Sequence, residues 1–229
     1  MFDFHGYGLT VLQGALLTVE VAVLSLIIAV VLGIVTALGK LSGHLWWRKL
    51  ASGYTTLIRS IPDLVLMLLI YFGGQVLVNE LAFSLGYDGY IELSPFVAGV
   101  ATIGFIFGAY LAETFRGAIL AVPAGQLEAG YAYGMSRFQV FRRILFPQMM
   151  RHALPGFGNN WLVLLKTTAL VSVIGLDDMV RKASLAAGAT QEPFTFYVLV
   201  GAVFLALTTV SSWGLQWAER RYNPEWRNG

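Results

Sequence analysis

The sequence predicts an all-α protein that crosses a membrane about five times. Of its 229 residues, 57% are hydrophobic and only 12% are charged, and the mean hydropathy is +0.68. A core of this size could not enclose so much apolar surface, so lipid must cover part of it. Long apolar stretches recur along the chain, and each reaches the roughly 20 residues that a helix needs to span a bilayer.

Five segments are long enough to be spans. The first is interrupted only by Glu20. The second, third and fourth contain charges but keep long uncharged runs, and side chains near a span's end can reach the interface. Gly104 and Gly108 form a GxxxG pattern in the third, which predicts close helix packing. The predicted spans are about 10–38, 51–78, 95–122, 153–176 and 194–218, within one domain of residues 1–229.

Lys and Arg are divided unevenly between the two predicted sides. The outer side has Arg181 and Lys182 beside several acids, and the inner side has most of the others. Because loops rich in Lys and Arg stay in the cytoplasm, we expect the N-terminus outside and the C-terminus inside. Five spans also put the two termini on opposite sides. The inner residues are Lys40, Arg48, Lys49, Arg116, Arg137, Arg142, Arg143, Arg151, Arg220, Arg221 and Arg227.

A polar stretch between the third and fourth spans reads EAGYAYGMSRFQVFRRILFP, residues 128–147. It predicts two short cytoplasmic helices. Gly134 is placed to end the first, which we expect Glu128 to cap or anchor, and Ser136 with Gln139 fits a capping box opening the second. Apolar residues at three- and four-residue spacing form one face. They are Leu127, Tyr131, Met135, Phe138, Phe141 and Leu145.

That apolar face needs a partner surface. Docking into a groove of a cytoplasmic protein is one explanation, and a helix pair lying on the membrane surface is another. Entry into a DNA groove is disfavoured, because the stretch lies between two spans and no separate DNA-binding domain is present. The net charge of +2 is also too small to suggest nucleic acid.

No catalytic constellation is evident. His5, His44 and His152 lie in or near predicted loops and pair with no obvious nucleophile. The nearest approach to a phosphate-binding loop, GIVTALGKL at residues 33–41, has one residue too many between its glycines and Leu where Ser or Thr should bind magnesium. Without cysteines there is no disulfide or thiolate metal site. We therefore expect no enzyme activity, cofactor or metal in this chain.

Charges inside spans are costly and usually functional. For Arg59 and Lys166 the alternative to a functional role is an interfacial position or a structural ion pair. Glu113 either pairs with Arg116, one helical turn away, or faces a pathway. Asp63 follows an Ile-Pro pair, where proline favours a helix break, and transporter sites are commonly built at broken helices. We expect Asp63 to attract a cationic solute, with a structural role as the alternative.

The polar stretch resembles the EAA loop of ABC importer permeases in residues, spacing and position. The matching residues are Glu128, Ala129, Gly130, Gly134, Ile144 and Pro147, with Gly130 where the family usually has Ala. Three further stretches extend the resemblance over essentially the whole chain: YTTLIRSIPDLVLMLLIYF, GAYLAETFRGAILAVPAGQLEAG and LPGFGNNWLVLLKTTALVSVIG. They look like the polar amino-acid branch, and are most similar to permeases for histidine, lysine, arginine and ornithine, with opine permeases close behind.

The resemblance implies a type I ABC importer fold in a bacterial inner membrane, with a periplasmic N-terminus. Residues 126–147 would be the coupling loop, whose six motif residues contact the ATPase. The substrate pathway would include Asp63, Glu113, Asn159, Lys166 and Thr167.

The implied partners are a second permease, a dimeric ATP-binding cassette ATPase that binds ATP and Mg, a periplasmic solute-binding protein and membrane lipid. The resemblance favours a paralogous second permease over a second copy. A permease for other polar amino acids or opines and a channel-like regulator remain alternatives.

Overall fold

The computed structural model describes residues 6–222, and every regular element in that part of the chain is helical. A π-helical turn, Phe141–Leu145, and a 3-10 turn, Thr168–Ser172, flank the seventh α-helix. The α-helices are α1 (Gly8–Leu41), α2 (Leu45–Ser60), α3 (Asp63–Ser84), α4 (Pro95–Leu120), α5 (Ala124–Ala132), α6 (Arg137–Val140), α7 (Phe146–Thr167), α8 (Met179–Thr190) and α9 (Pro193–Tyr222).

Four of the described helices, α1, α3, α4 and α9, are long and apolar enough to cross a membrane. The predicted segment 153–176 falls on α7 and the 3-10 turn. Helix α7 has 22 residues, enough to span a bilayer. It is not among the four apolar helices because polar side chains such as Arg151, Asn159 and Lys166 are spread along it.

The predicted segment 51–78 is divided into two helices. Ile61 has φ −110° and ψ 137°, and Pro62 has φ −57° and ψ 136°, so both are extended between α2 and α3. Proline offers no N–H to the helix and disfavours a helical conformation in the residue before it. The break that the Ile-Pro pair predicts is confirmed, and it places Asp63 as the first residue of α3.

The core is built on the close approach of α1 and α4. A Cβ on Gly104 would lie 2.7 Å from the Ile28 Cβ, and one on Gly108 would lie 2.9 Å from the Leu32 Cβ. No side chain fits in these spaces, so the close packing that the GxxxG pattern predicts is confirmed. Ile103, Ile106 and Phe107 are buried beside these glycines and fill the space between α1 and its neighbours.

A second, smaller cluster joins α8 and α9 to the beginning of α1. Its closest contact is at Gly14, where a Cβ would lie 2.7 Å from the Met179 Cα. The residue before α8, Asp178, is fully buried, and its Oδ1 accepts a hydrogen bond from the Arg181 N–H at 2.9 Å. Its Oδ2 has no hydrogen-bond partner in the described part of the chain.

Two amide side chains hold the connection between α3 and α4. The Gln75 Oε1 accepts from the Leu93 N–H at 2.8 Å, and the Asn79 Oδ1 accepts from the Ile91 N–H at 2.8 Å. The Asn79 Nδ2 also donates to the Ile91 carbonyl at 2.9 Å. This predicted outer loop is therefore fixed to the end of α3 although it has no regular secondary structure.

Candidate solute pathway and coupling loop

The first helix of the predicted coupling loop, α5, ends where the sequence indicates. Gly134 has φ +77°, a conformation that glycine adopts without steric cost. The Met135 N–H donates to the Gly130 carbonyl at 3.1 Å, and the Gly134 N–H donates to the Tyr131 carbonyl at 2.9 Å. These two bonds form a Schellman motif, which turns the chain sharply towards α6.

The second helix, α6, begins with the predicted capping box, which is confirmed. The Ser136 Oγ accepts from the Gln139 N–H at 3.3 Å, and the Gln139 Oε1 accepts from the Ser136 N–H at 2.8 Å. The expectation that Glu128 caps the first helix is wrong. Helix α5 begins after Pro123 without a side-chain cap, and Glu128 lies exposed in its middle.

Gly130 and Ile144 of the motif meet inside the loop. Gly130 is buried, and a Cβ there would lie 2.6 Å from the Ile144 Cδ1 and 3.1 Å from the Val140 Cγ2. Glycine at this position therefore lets Ile144 pack directly on the α5 backbone. The departure from the family's usual alanine gives a tighter contact between the two halves of the loop.

Pro147 explains the π-helical turn before α7. Proline supplies no N–H, so the regular hydrogen-bond ladder is interrupted where Pro147 enters the first turn of α7. Just before it, the Phe146 N–H donates to the Phe141 carbonyl, five residues back. π-helical turns of this kind are frequent at functional sites.

The loop presents aromatic and basic side chains to its surroundings. Tyr133 is 87% exposed and Phe138 is 68% exposed, so the described chain covers neither. Arg137, Arg142 and Arg143 are also exposed. Exposed aromatic side chains beside arginines are typical of the central residues of protein interfaces, and here they lie on a loop that its own caps hold rigid.

Asp63 lies half-buried at the break between α2 and α3. It makes no hydrogen bond or ion pair with the residues that the structure describes. The Arg59 guanidinium lies over the Tyr110 ring, 5.4 Å from the centroid. The break therefore presents a carboxylate without a cation bound to it.

Glu113, by contrast, has both carboxylate oxygens occupied. Its Oε1 pairs with the Lys40 Nζ and its Oε2 with the Arg116 Nε at 2.9 Å. The Lys40 Nζ also donates to the Thr55 Oγ1 at 2.7 Å. This ion-pair cluster (Lys40, Thr55, Glu113, Arg116) joins α1, α2 and α4. The pair with Arg116 was one of the two alternatives for Glu113, whereas the sequence did not reveal Lys40.

The remaining pathway candidates lie on α7. Asn159 and Lys166 are exposed and form no hydrogen bond with described residues, whereas the Thr167 Oγ1 donates to the Val163 carbonyl at 3.0 Å. The neighbouring Asn160 instead donates to the Thr114 Oγ1 at 3.0 Å and so joins α7 to α4. The polar groups of Asn159 and Lys166 are thus exposed at the surface of the described chain. Within residues 6–222 no three or more His, Cys, Asp or Glu side chains are grouped as a metal site would require.

Comparisons with known proteins show the family of the chain. A family model described as binding-protein-dependent transport system inner membrane component matches residues 29–224. The histidine/lysine/arginine/ornithine transport system permease protein HisQ of Escherichia coli is 52% identical over 219 residues, 96% of each chain. The octopine transport system permease protein OccQ of Rhizobium meliloti is 41% identical over 228 residues, covering 100% of this chain and 96% of the relative.

A solved structure shares the fold. The crystal structure of an amino acid ABC transporter with histidines superimposes with a TM-score of 0.80 at 33% identity, covering 96% of this chain and 99% of the other. The MetNI methionine ABC transporter in an inward-facing form superimposes with a TM-score of 0.67 at 16% identity. The all-helical type I ABC importer fold that the sequence predicts is therefore confirmed.

Proposed function

Because this chain belongs to the family of binding-protein-dependent transport system inner membrane components, we propose that it is the permease subunit of an ATP-driven importer of basic amino acids. The observation that carries this proposal is the 52% identity, over 96% of the chain, to a permease named for histidine, lysine, arginine and ornithine. The chain itself is not an enzyme in this proposal, and a partner ATPase binds ATP and Mg.

The coupling loop supports the energetic part of the proposal. An ATPase subunit must move the membrane helices, so the link between them has to be rigid and has to present a contact surface. The Schellman motif at Gly134 and the capping box at Ser136 supply rigidity, and the exposed Tyr133 and Phe138 supply the surface. The loop is joined to α7, which carries Asn159 and Lys166. A movement of the loop should therefore move these two pathway candidates.

Asp63 supports the proposal that the transported solute is a basic amino acid. Moving a cation through a bilayer is expensive, and a carboxylate facing the path offsets part of that cost. Asp63 has no cation bound to it in the described chain. Glu113 already pairs with both Lys40 and Arg116, so we assign attraction of the solute to Asp63 and a structural role to Glu113.

The remaining partners follow from surfaces that this chain leaves open. In each of α3 and α9, only 11% of the most apolar stretch of the helix is buried, which leaves faces for a second permease. The family resemblance favours a paralogous chain as that permease. The outer loop held by Gln75 and Asn79 carries exposed Asp88 and Glu92, a fixed acidic surface for a solute-binding protein. In this arrangement the N-terminus is periplasmic and the C-terminus cytoplasmic.

Uptake by the reconstituted importer tests the proposal. The products of the native operon are purified together, placed in proteoliposomes loaded with ATP, and supplied with the binding protein and labelled amino acids. We expect uptake of arginine, lysine, histidine and ornithine that requires both ATP and the binding protein. Equal uptake without ATP would indicate a channel, and uptake confined to neutral amino acids would exclude the basic-solute assignment.

The opine relative gives a second candidate solute. The permease OccQ, 41% identical, is named for octopine. Competition in the same vesicles decides between the two, since unlabelled octopine should displace labelled arginine poorly if basic amino acids are the solutes. Complete displacement at low octopine concentration would favour the opine.

A further inference from the structure

Helix α2 has an apolar side that the rest of the described chain does not cover. Its buried residues are Ala51, Thr55 and Ile58, which share one side of the helix. On other sides Trp46 is 85% exposed and Leu50 is 68% exposed. Lipid or another protein must therefore cover α2.

Two apolar grooves run beside the ridge formed by Leu50 and Tyr54. The groove on the α1 side has a volume of about 220 Å³ and includes Trp47. The groove on the other side has a volume of about 570 Å³ and includes Trp46 and Lys49. The Tyr54 hydroxyl, which both grooves share, donates to the Phe105 carbonyl.

Two cations lie at the beginning of α2 without a counter-charge. Arg48 and Lys49 are exposed, and neither forms an ion pair with the residues that the structure describes. Helix α2 contains no acidic residue. The neighbouring cation Lys40 is occupied, because it pairs with Glu113 and Thr55. The predicted orientation places this end of α2 at the cytoplasmic surface.

We propose that α2 binds one anionic diacyl phospholipid of the cytoplasmic leaflet. Part of one acyl chain lies along each groove, with Leu50 and Tyr54 between them, and the phosphate lies beside Lys49, which lines the larger groove, and within the field of the neighbouring Arg48. The indoles of Trp46 and Trp47 lie at headgroup level, where tryptophan is enriched. Anionic lipid at the inner surface attracts basic side chains in this position.

The charges favour lipid over a second permease as the occupant. A second copy of this chain would have to bring carboxylates to Arg48 and Lys49. The acids on its described cytoplasmic side are few: Glu113 is already paired, Glu128 lies on the coupling loop, and Glu219 lies in the last turns of α9. A phospholipid supplies the negative charge and both apolar chains in one molecule.

Retention of lipid by the complete importer tests the proposal. The importer is purified from nanodiscs of equal parts palmitoyl-oleoyl phosphatidylglycerol and phosphatidylcholine, and retained lipids are counted by native mass spectrometry. We expect the wild type to retain phosphatidylglycerol preferentially. Arg48→Gln with Lys49→Gln should weaken that preference by about fivefold for each charge removed. Lys182→Gln, on the predicted outer side, is the matched charge control.

A second variant fills the larger groove without removing charge. A Cβ on Gly53 would meet no atom within 4 Å, so Gly53→Leu can project into the groove without disturbing α2. It should lower retention of both lipids, whereas Gly188→Leu, at an equally open position on α8, should not. Unchanged phosphatidylglycerol retention in both the charge and groove variants would overturn the proposal. So would a photocrosslinker at Leu57 that labels the second permease instead of lipid.

Discussion

At the scale of single residues, Gly134 determines the shape of the coupling loop. Its φ of +77° costs other residues roughly 1 kcal/mol or more, and no neighbouring atom would contact a Cβ there. A substitution therefore strains the turn through the backbone alone. Because the turn sits on the surface, the strain should change the loop without unfolding the membrane helices.

We expect Gly134→Asp to leave membrane insertion and assembly intact and to abolish ATP hydrolysis stimulated by the loaded binding protein. Gly125→Asp adds the same charge to α5, one residue before the coupling loop, at a glycine without positive φ, and should keep more of the stimulation. The measurement is ATPase activity in proteoliposomes, with assembly checked by size-exclusion chromatography. Normal coupling in Gly134→Asp would remove the docking role from this loop.

The ion-pair cluster gives a second prediction. The Lys40 and Glu113 side chains are 12% and 22% exposed, so removing one partner leaves a largely buried charge, which costs about 3 kcal/mol or more. Glu113→Gln should lower the thermal unfolding midpoint of the complex and leave solute preference unchanged.

Adding Lys40→Met to Glu113→Gln should recover part of the lost stability, because the more buried of the two unpaired cations is then gone, whereas Arg116 is partly exposed to solvent. Asp177→Asn is the control, since its pair with Arg181 at 3.2 Å is exposed and such pairs contribute little. A changed solute preference in Glu113→Gln, with unaltered stability, would return Glu113 to the pathway.

Asp178 predicts a pH dependence of stability. Burial raises its pKa to about 6 from 3.8, although the Arg181 backbone N–H opposes this. The folded protein therefore binds the proton more tightly than the unfolded chain. The resulting stability is full below about pH 3.8 and is lost as the pH rises through about 6.

When the pH is lowered from 8 to 5, the free energy of unfolding of the wild type should therefore rise by about 1 kcal/mol relative to that of Asp178→Asn. The measurement is the thermal unfolding midpoint of both proteins across that range. Asp177→Asn, at the exposed neighbouring residue, should keep the wild-type slope. Parallel curves for wild type and Asp178→Asn would show that this carboxyl does not titrate on unfolding.

Residue-level features were predictable where their signals are local. Gly134 and the pair Ser136 with Gln139 are interpretable because a turn and a cap depend on residues within a few positions of each other. The partner of Glu113 on α1 was not, since Lys40 lies 73 residues away. The tight contact of Gly130 with Ile144 was also not predictable from the sequence, because it depends on how the two short helices pack together.

At the scale of elements, replacing two glycines of α4 by alanine should change stability in opposite directions. A Cβ on Gly104 would lie 2.7 Å from the Ile28 Cβ and 3.1 Å from the Ser25 carbonyl oxygen, whereas a Cβ on Gly117 would meet nothing. Gly104→Ala should destabilise the permease by about 1–3 kcal/mol through overpacking. Gly117→Ala should stabilise it by up to about 1 kcal/mol through helix propensity.

Thermal unfolding of the two variants measures both signs in the same helix. If Gly104→Ala is as stable as Gly117→Ala, α1 and α4 do not pack as closely as the structure indicates. The sequence predicted this contact from spacing, but it did not identify α1 as the partner helix, because a GxxxG pattern names only one side of a contact.

Element boundaries were harder to predict than element type. Apolar composition marked 51–78 as one segment, but the backbone at Ile61 and Pro62 divides it into an amphipathic α2 and an apolar α3. Helix α7 shows the opposite case. Its polar residues lower its hydropathy below that of a typical membrane-spanning helix. Its length and its contacts with α4 and α9 nevertheless place it inside the bundle.

At the scale of the whole molecule, fold class was predictable because the apolar composition extends over the chain, and the family was predictable from the coupling motif together with three further stretches of resemblance. The substrate pathway was not, since it depends on which polar groups remain unpaired after folding. Of the five pathway candidates, the structure leaves Asp63, Asn159 and Lys166 without a partner in the described chain. It pairs Glu113 and bonds Thr167 to its own helix.

The carboxylate of Asp63 at the helix break should help a cationic solute to cross the membrane. The most direct measurement compares Asp63→Asn with wild type, at matched expression, for ATP-driven uptake of arginine and of citrulline, its neutral analogue. We predict that Asp63→Asn slows arginine uptake more than citrulline uptake and retains ATPase stimulation by the loaded binding protein. Equal arginine uptake by variant and wild type would contradict the claim and confine Asp63 to a structural role.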